Sequence, residues 1–118
     1  MAGDAAKLLW DASRAADKVS TFVAGRTFDD FLRDDLLRSA VERQLEVIGE
    51  ALAQLRRKDP SWGESIPELH RIVGMRNVLV HGYASVDDAL TWGVVEGHLP
   101  ALRERLARLL KSPPPSPE

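Results

Sequence analysis

Apolar residues at helical spacing run through this chain almost from end to end, and that periodicity limits the fold more than any other feature of the sequence. Between residues 4 and 22, Leu8, Leu9, Ala12, Ala15, Ala16, Val19 and Phe22 recur three or four positions apart, the interval that lines up side chains on one face of an α-helix. Gly25 breaks the pattern. Thr27 then stands where an N-cap belongs, with Asp30 at the third helical position, an arrangement in which each residue can satisfy a backbone N–H of the other. Phe28, Phe31, Leu32, Leu37, Val41, Leu45, Ile48, Leu52 and Leu55 continue the stripe, which predicts one long second helix ending before Pro60. Two such helices joined by a short connection each have an apolar face to cover, so they should pack antiparallel.

Residues 59–67 carry two prolines, a glycine and capping-type residues and read as a loop, with Pro67 suited to the first turn of a third helix. Leu69, Ile72, Val73, Met75, Val78, Leu79 and Val80 form its apolar body, and Gly82 is a plausible terminator. Ser85 with Asp88 resembles a capping box opening a further helix through Leu90, Val94 and Val95. Gly97 and Pro100 should bend or restart it before a last stripe of Leu99, Leu102, Leu106, Leu109 and Leu110. No strand-like alternation, internal repeat or glycine-rich phosphate loop interrupts the series. The expectation is an all-α, up-and-down bundle of four to five helices over residues 1–111, followed by a proline-rich tail, residues 112–118, with nothing to pack against.

A chain of 118 residues can hold one domain with a real core. It contains no cysteine, which removes disulfides, thiolate metal sites and thiol nucleophiles from consideration. Met1 to Lys7 lacks the basic-then-apolar pattern of a secretion signal, and no run approaches the roughly 20 apolar residues of a membrane span; a cytoplasmic chain with no membrane partner is expected. The formal net charge of −2 argues against a protein that holds nucleic acid by its overall field, so any such contact must be local.

The stretch most able to carry chemistry is Arg76-Asn77-Val78-Leu79-Val80-His81-Gly82-Tyr83, at the end of the third helix. Asn77 and His81, four apart, share a helical face; Arg76 starts round the helix from them. Convergence of Arg76 and His81 therefore calls for the arginine's reach, loosening of the helix near Gly82, or a second copy of the motif from another chain. Histidine moves protons near neutral pH, and arginine grips phosphate oxygens two at a time. Together they suit metal-free cleavage of RNA, in which the ribose 2′-hydroxyl attacks the adjacent phosphate and leaves a cyclic phosphate and a 5′-hydroxyl. Arg76 would stabilise the charge that builds up in the transition state. DNA lacks that nucleophile. Whether His81 acts as base or acid is open at this level.

The segment Val41-Glu-Arg-Gln-Leu-Glu-Val-Ile-Gly-Glu50, followed by Ile72-Val-Gly-Met-Arg-Asn-Val-Leu-Val-His-Gly-Tyr83, resembles the HepT branch of the HEPN superfamily, and Val86-Asp87 through Trp92 and His98-Leu99-Pro100 match that family's usual ending. The resemblance spans roughly Leu8 to Leu110. It implies a helical bundle that dimerises so that two motifs line one cleft and act as a metal-independent endoribonuclease toxin. Arg76 and His81 would be the catalytic pair and Asn77 a supporting polar residue. It further implies a toxin-antitoxin pair of type VII-like character, in which a minimal nucleotidyltransferase antitoxin transfers AMP from ATP to Tyr83. A bulky anion there would block the cleft and repel RNA phosphate. No metal and no cofactor is implied.

Two other readings stay open. One is a non-catalytic helical module that partners a nucleotidyltransferase or positions its substrate; the other is a purely structural dimerisation bundle. His70 and His98 are isolated and read as surface or loop residues. Arg56-Arg57-Lys58 sits where cations complement a helix C-terminus. Trp10 and Trp92 fall in helical segments and read as core or interface anchors, while Trp62 lies in the loop before the third helix.

Overall fold

The computed structural model describes residues 2–81 and 87–111, with side chains over 3–80 and 87–111. Seven helices and no strand occur among these residues. The first, α1 (Ala2–Val23), ends where Gly25 takes a left-handed φ of +73° and the Arg26 N–H returns to the Val23 carbonyl at 2.9 Å, a conformation that glycine adopts without penalty. The predicted capping box follows: the Asp30 N–H donates to Thr27 Oγ1 at 3.1 Å and the Thr27 N–H to Asp30 Oδ2 at 2.9 Å.

The long second helix of the sequence reading is two helices, α2 (Phe28–Arg33) and α3 (Asp35–Lys58). Asp34 between them is extended, at φ −115° and ψ 98°, and closes one helix while opening the other. Its carboxylate accepts the Leu37 N–H at 3.1 Å. On the opposite side of the break, the Arg38 guanidinium donates to the Phe31 and Leu32 carbonyls, acceptors that a helix end would otherwise leave unpaired. Both termini at the break thus have side-chain partners, which is why an uninterrupted apolar period did not give an uninterrupted helix.

The predicted loop contains one short helix, α4 (Trp62–Ser65), and Pro67 falls in the turn just before α5 (Leu69–His81). Next comes α6 (Asp88–Gly97), whose N-cap is Asp87, with its Oδ1 accepting the Ala89 and Leu90 N–H groups at 3.0 and 3.2 Å; Ser85 of the expected capping box lies outside the described residues. The restart foreseen around Gly97 and Pro100 occurs at His98, and α7 (Leu99–Lys111) completes the five long helices. The tail from 112 lies outside the described residues.

Helix α3 is the centre of the bundle, packed on α1 on one side and α5 on the other, while α7 covers α1. Two ion pairs and a hydrogen bond fix the directions. Lys58 meets Asp4 at 3.7 Å, pairing the end of α3 with the start of α1; Arg56 meets His70 at 2.9 Å and Glu50 meets Arg76 at 2.8 Å, so α5 runs antiparallel to α3. Leu9, Val19, Leu45, Ile48, Leu52, Leu55, Ile72, Leu102 and Leu106 are fully buried between these helices, each worth about 2 kcal/mol of transfer free energy. Phe31 carries α2 onto the Trp92 ring of α6 at 5.2 Å, and Thr91, the one buried polar residue among those described, satisfies its hydroxyl on the Asp87 carbonyl at 3.2 Å.

Candidate functional site

The motif helix is anchored by its first half. Leu69, Ile72, Val73 and Met75 are buried against the rest of the bundle. One turn further on, α5 crosses α3 at Gly49 so closely that a Cβ on this glycine would lie 2.2 Å from the Arg76 Cβ and 3.3 Å from the Ile72 carbonyl oxygen. Real side-chain carbons do not approach so near. The absence of a side chain at 49 therefore lets the backbone of Arg76 sit against that of α3.

From that base the arginine turns along α3. Its Nη2 reaches Glu50 Oε2 at 2.8 Å, and its Nη1 donates to Asn77 Oδ1 at 3.0 Å. The arginine side chain is 28% exposed and the glutamate 42%, so the pair faces solvent at its edge. Glu50 is in turn engaged along its own helix: Oε1 accepts the Gln54 amide at 3.2 Å, and Arg57 stands 3.8 Å away. Arg76 and Asn77, expected to act together, are thus in direct contact.

His81 is the last residue of α5; its side chain and the whole of Tyr83 lie outside the described residues. On the approach to them Val78 and Val80 are 43% and 45% exposed. Glu42, further along α3 in the same direction, has its carboxyl pushed above the usual glutamate range. Desolvation is the main cause, followed by the nearby negative charge of Asp88 at the start of α6 and of Glu46, with Arg38 opposing.

A groove of about 570 Å³ runs between α1 and α3, and Glu50 forms part of its wall together with Arg14, Lys18 and Arg43. Trp10 stands at this groove with the Arg14 guanidinium 5.3 Å over its ring, and is 52% exposed, so it belongs to the surface and not to the core. Trp62 and Trp92 pack against the core instead. His70 is exposed and bonded to Arg56, and His98 closes α6. No group of three potential metal ligands gathers among the described residues.

Sequence reading assigned no role to Gly49 or Glu50. The adjacent Gly-Glu pair was visible, but the meaning of a glycine inside a long helix depends on which helix crosses it, and no periodicity reports that. Charge complementarity with Arg76 was available only once α3 and α5 were known to be antiparallel neighbours.

Comparison with known proteins gives the family. A family model described as HepT-like, ribonuclease HepT-like, matches residues 12–109. "Probable ribonuclease HepT" of Thermococcus cleftensis is 32% identical over 103 residues, covering 87% of this chain and 93% of the relative. "Putative RNase MJ1380" of Methanocaldococcus jannaschii is 30% identical over 105 residues, covering 87% and 94%. No solved structure matches. The chain belongs to the HepT-like ribonuclease family. No helix among the described residues is long and apolar enough to cross a membrane.

Proposed function

We propose that this chain is a metal-independent endoribonuclease of a toxin-antitoxin pair, acting as a homodimer whose two motifs line one cleft. The observation that carries the reading is the placement of Arg76. It is the first residue of the motif, fixed by Gly49, Glu50 and Asn77 at the edge of the bundle, with its guanidinium partly open to solvent. An arginine so held suits a phosphate approaching from outside. In the reaction a base removes the proton of the ribose 2′-hydroxyl, the oxygen attacks phosphorus, and the 5′-oxygen leaves with a proton from an acid. Arg76 stabilises the charge on the equatorial oxygens. His81 serves as the proton-transfer group, in one of those two roles. Both bonds change at phosphorus without net redox and without water, so the product carries a cyclic phosphate.

Dimerisation is supported by the apolar exposure of Val78 and Val80 near the end of α5, since apolar side chains that a single chain leaves uncovered beside a polar motif favour a contact there. A second motif across such a contact also answers the divergence of Arg76 and His81 on a single helix. Tyr83, two residues past His81, is the proposed acceptor of AMP. Its phenol oxygen attacks the α-phosphate of ATP and releases pyrophosphate in a reaction catalysed by a nucleotidyltransferase partner.

The test is RNA cleavage by the wild-type protein and by His81→Ala, with chelator present and product ends analysed. Chelator-resistant cleavage, cyclic phosphate ends and loss of activity in the variant are expected; intact RNA with folded, unmodified wild type would overturn the reading. Incubation with ATP and the partner should add the mass of AMP to the wild type and none to Tyr83→Phe.

A further inference from the structure

We propose that Glu50 is a positioning residue for RNA cleavage, holding the Arg76 guanidinium in the orientation that meets the transition state. This inference rests on the ribonuclease reading above and adds to it a residue outside the motif, on a different helix. Arginine hangs from a long, flexible side chain, and left alone it would sample many rotamers. Here three constraints act on it. Gly49 brings its Cβ down onto α3, Glu50 takes one terminal nitrogen at 2.8 Å, and Asn77 accepts from the other at 3.0 Å. Two anchors on a planar group fix its plane. A guanidinium has five N–H donors, so engaging both terminal nitrogens still leaves donors for phosphate oxygens.

Glu50 can hold because it is itself held. Gln54 and Arg57, one and two turns along the same face of α3, engage its other oxygen at 3.2 and 3.8 Å. The line Gln54, Glu50, Arg76, Asn77 therefore links the rigid centre of the bundle to the motif. Support of this kind keeps a group near the productive geometry and removes the need to reorganise as charge develops.

The arrangement has a cost that makes the role measurable. A carboxylate beside Arg76 weakens its attraction for phosphate in the ground state. Removing that carboxylate should leave RNA binding unchanged or tighter while catalysis falls, a split that neither a purely structural residue nor an electrostatic brake produces. A structural role would lower thermal stability and activity together. A brake would give faster cleavage when removed.

The experiment compares wild type, Glu50→Ala, Glu50→Gln and Arg76→Ala on one RNA substrate, with kcat, KM and thermal melts measured for each. In Glu50→Ala, kcat should fall about tenfold or more, with KM unchanged or lower and the melt close to wild type. Glu50→Gln, which keeps an acceptor oxygen at the same reach, should recover most of kcat. Wild-type kcat in Glu50→Ala, or a loss that follows the melt, would overturn the positioning role while leaving the ribonuclease reading intact. Inactive wild type, or full activity in Arg76→Ala, would overturn the ribonuclease reading and the positioning role with it.

Discussion

The two halves of α5 do different work with similar composition. From Leu69 to Met75 the apolar residues are buried and tie the helix to α3; from Arg76 onward, Val78 and Val80 are nearly half exposed, although they are no less apolar than what precedes them. The first half meets the demands of a monomer. The second half has apolar surface that the monomer does not cover, interleaved with Arg76 and Asn77, and this is how a helix looks where it leaves a core to serve as a surface. Stability and function should therefore separate along a single helix, at the Gly49 crossing.

Substitutions on either side of that crossing put the division at risk. Ile72→Ala, in the anchored half, should cost about 2–5 kcal/mol in urea unfolding because the residue is fully buried; a cost below 1 kcal/mol would mean that this half is not an anchor. Arg76→Ala, one turn on, should lower kcat/KM by roughly 10²–10³-fold with little change in the unfolding midpoint, since its partner Glu50 is already partly solvated. Loss of stability comparable to Ile72→Ala would erase the division. Gly49→Ala lies at the boundary, and its new Cβ must displace Arg76 or Ile72. It should cost about 1–3 kcal/mol by overpacking and reduce cleavage beyond what the unfolded fraction explains.

Val78→Asp should leave unfolding of the isolated chain nearly unchanged and shift sedimentation toward the monomer. A dimer that persists would place the interface elsewhere. The smallest effect concerns Glu42, whose carboxyl is pushed upward. A raised folded value means that the native state holds its proton longer than the unfolded chain. Stability from this group is then present at low pH and lost as pH climbs from the ordinary glutamate range through the raised value. Glu42→Gln removes that loss, so it should melt slightly higher than wild type at pH 7 and match it below about pH 4. Equal melts at both would show that the burial around Glu42 is not felt.

Much of the bundle is legible in the pattern of residues, and the parts that are not share a cause. The stripes of α1 and α3, the Thr27 and Asp30 box and the turn at Gly25 follow from local spacing and backbone preference, which act within a few residues. The break at Asp34 does not, because the apolar period continues across it. It depends on Arg38 folding back onto the carbonyls of α2. Of the two places open to Trp10, core or interface, spacing could not choose for a related reason: its position in a helix was readable, but which angular sector faced the core was decided by α3 and α7, and Trp10 lies at the surface. The motif was readable as an ordered set of residue types, yet the contacts that give Arg76 its orientation come from another helix and appear only with the fold.

The one-residue break at Asp34 also bears on how such a chain can change over generations. By turning α2 aside, it brings Phe28 and Phe31 to Trp92 of α6, while α5 is tied down through Ile72 and the Gly49 crossing. The two helices α5 and α6 are therefore each seated by contacts of their own. A substitution in one of these footings need not unseat the other helix, so the two flanks of the motif can drift separately over generations while the fold persists.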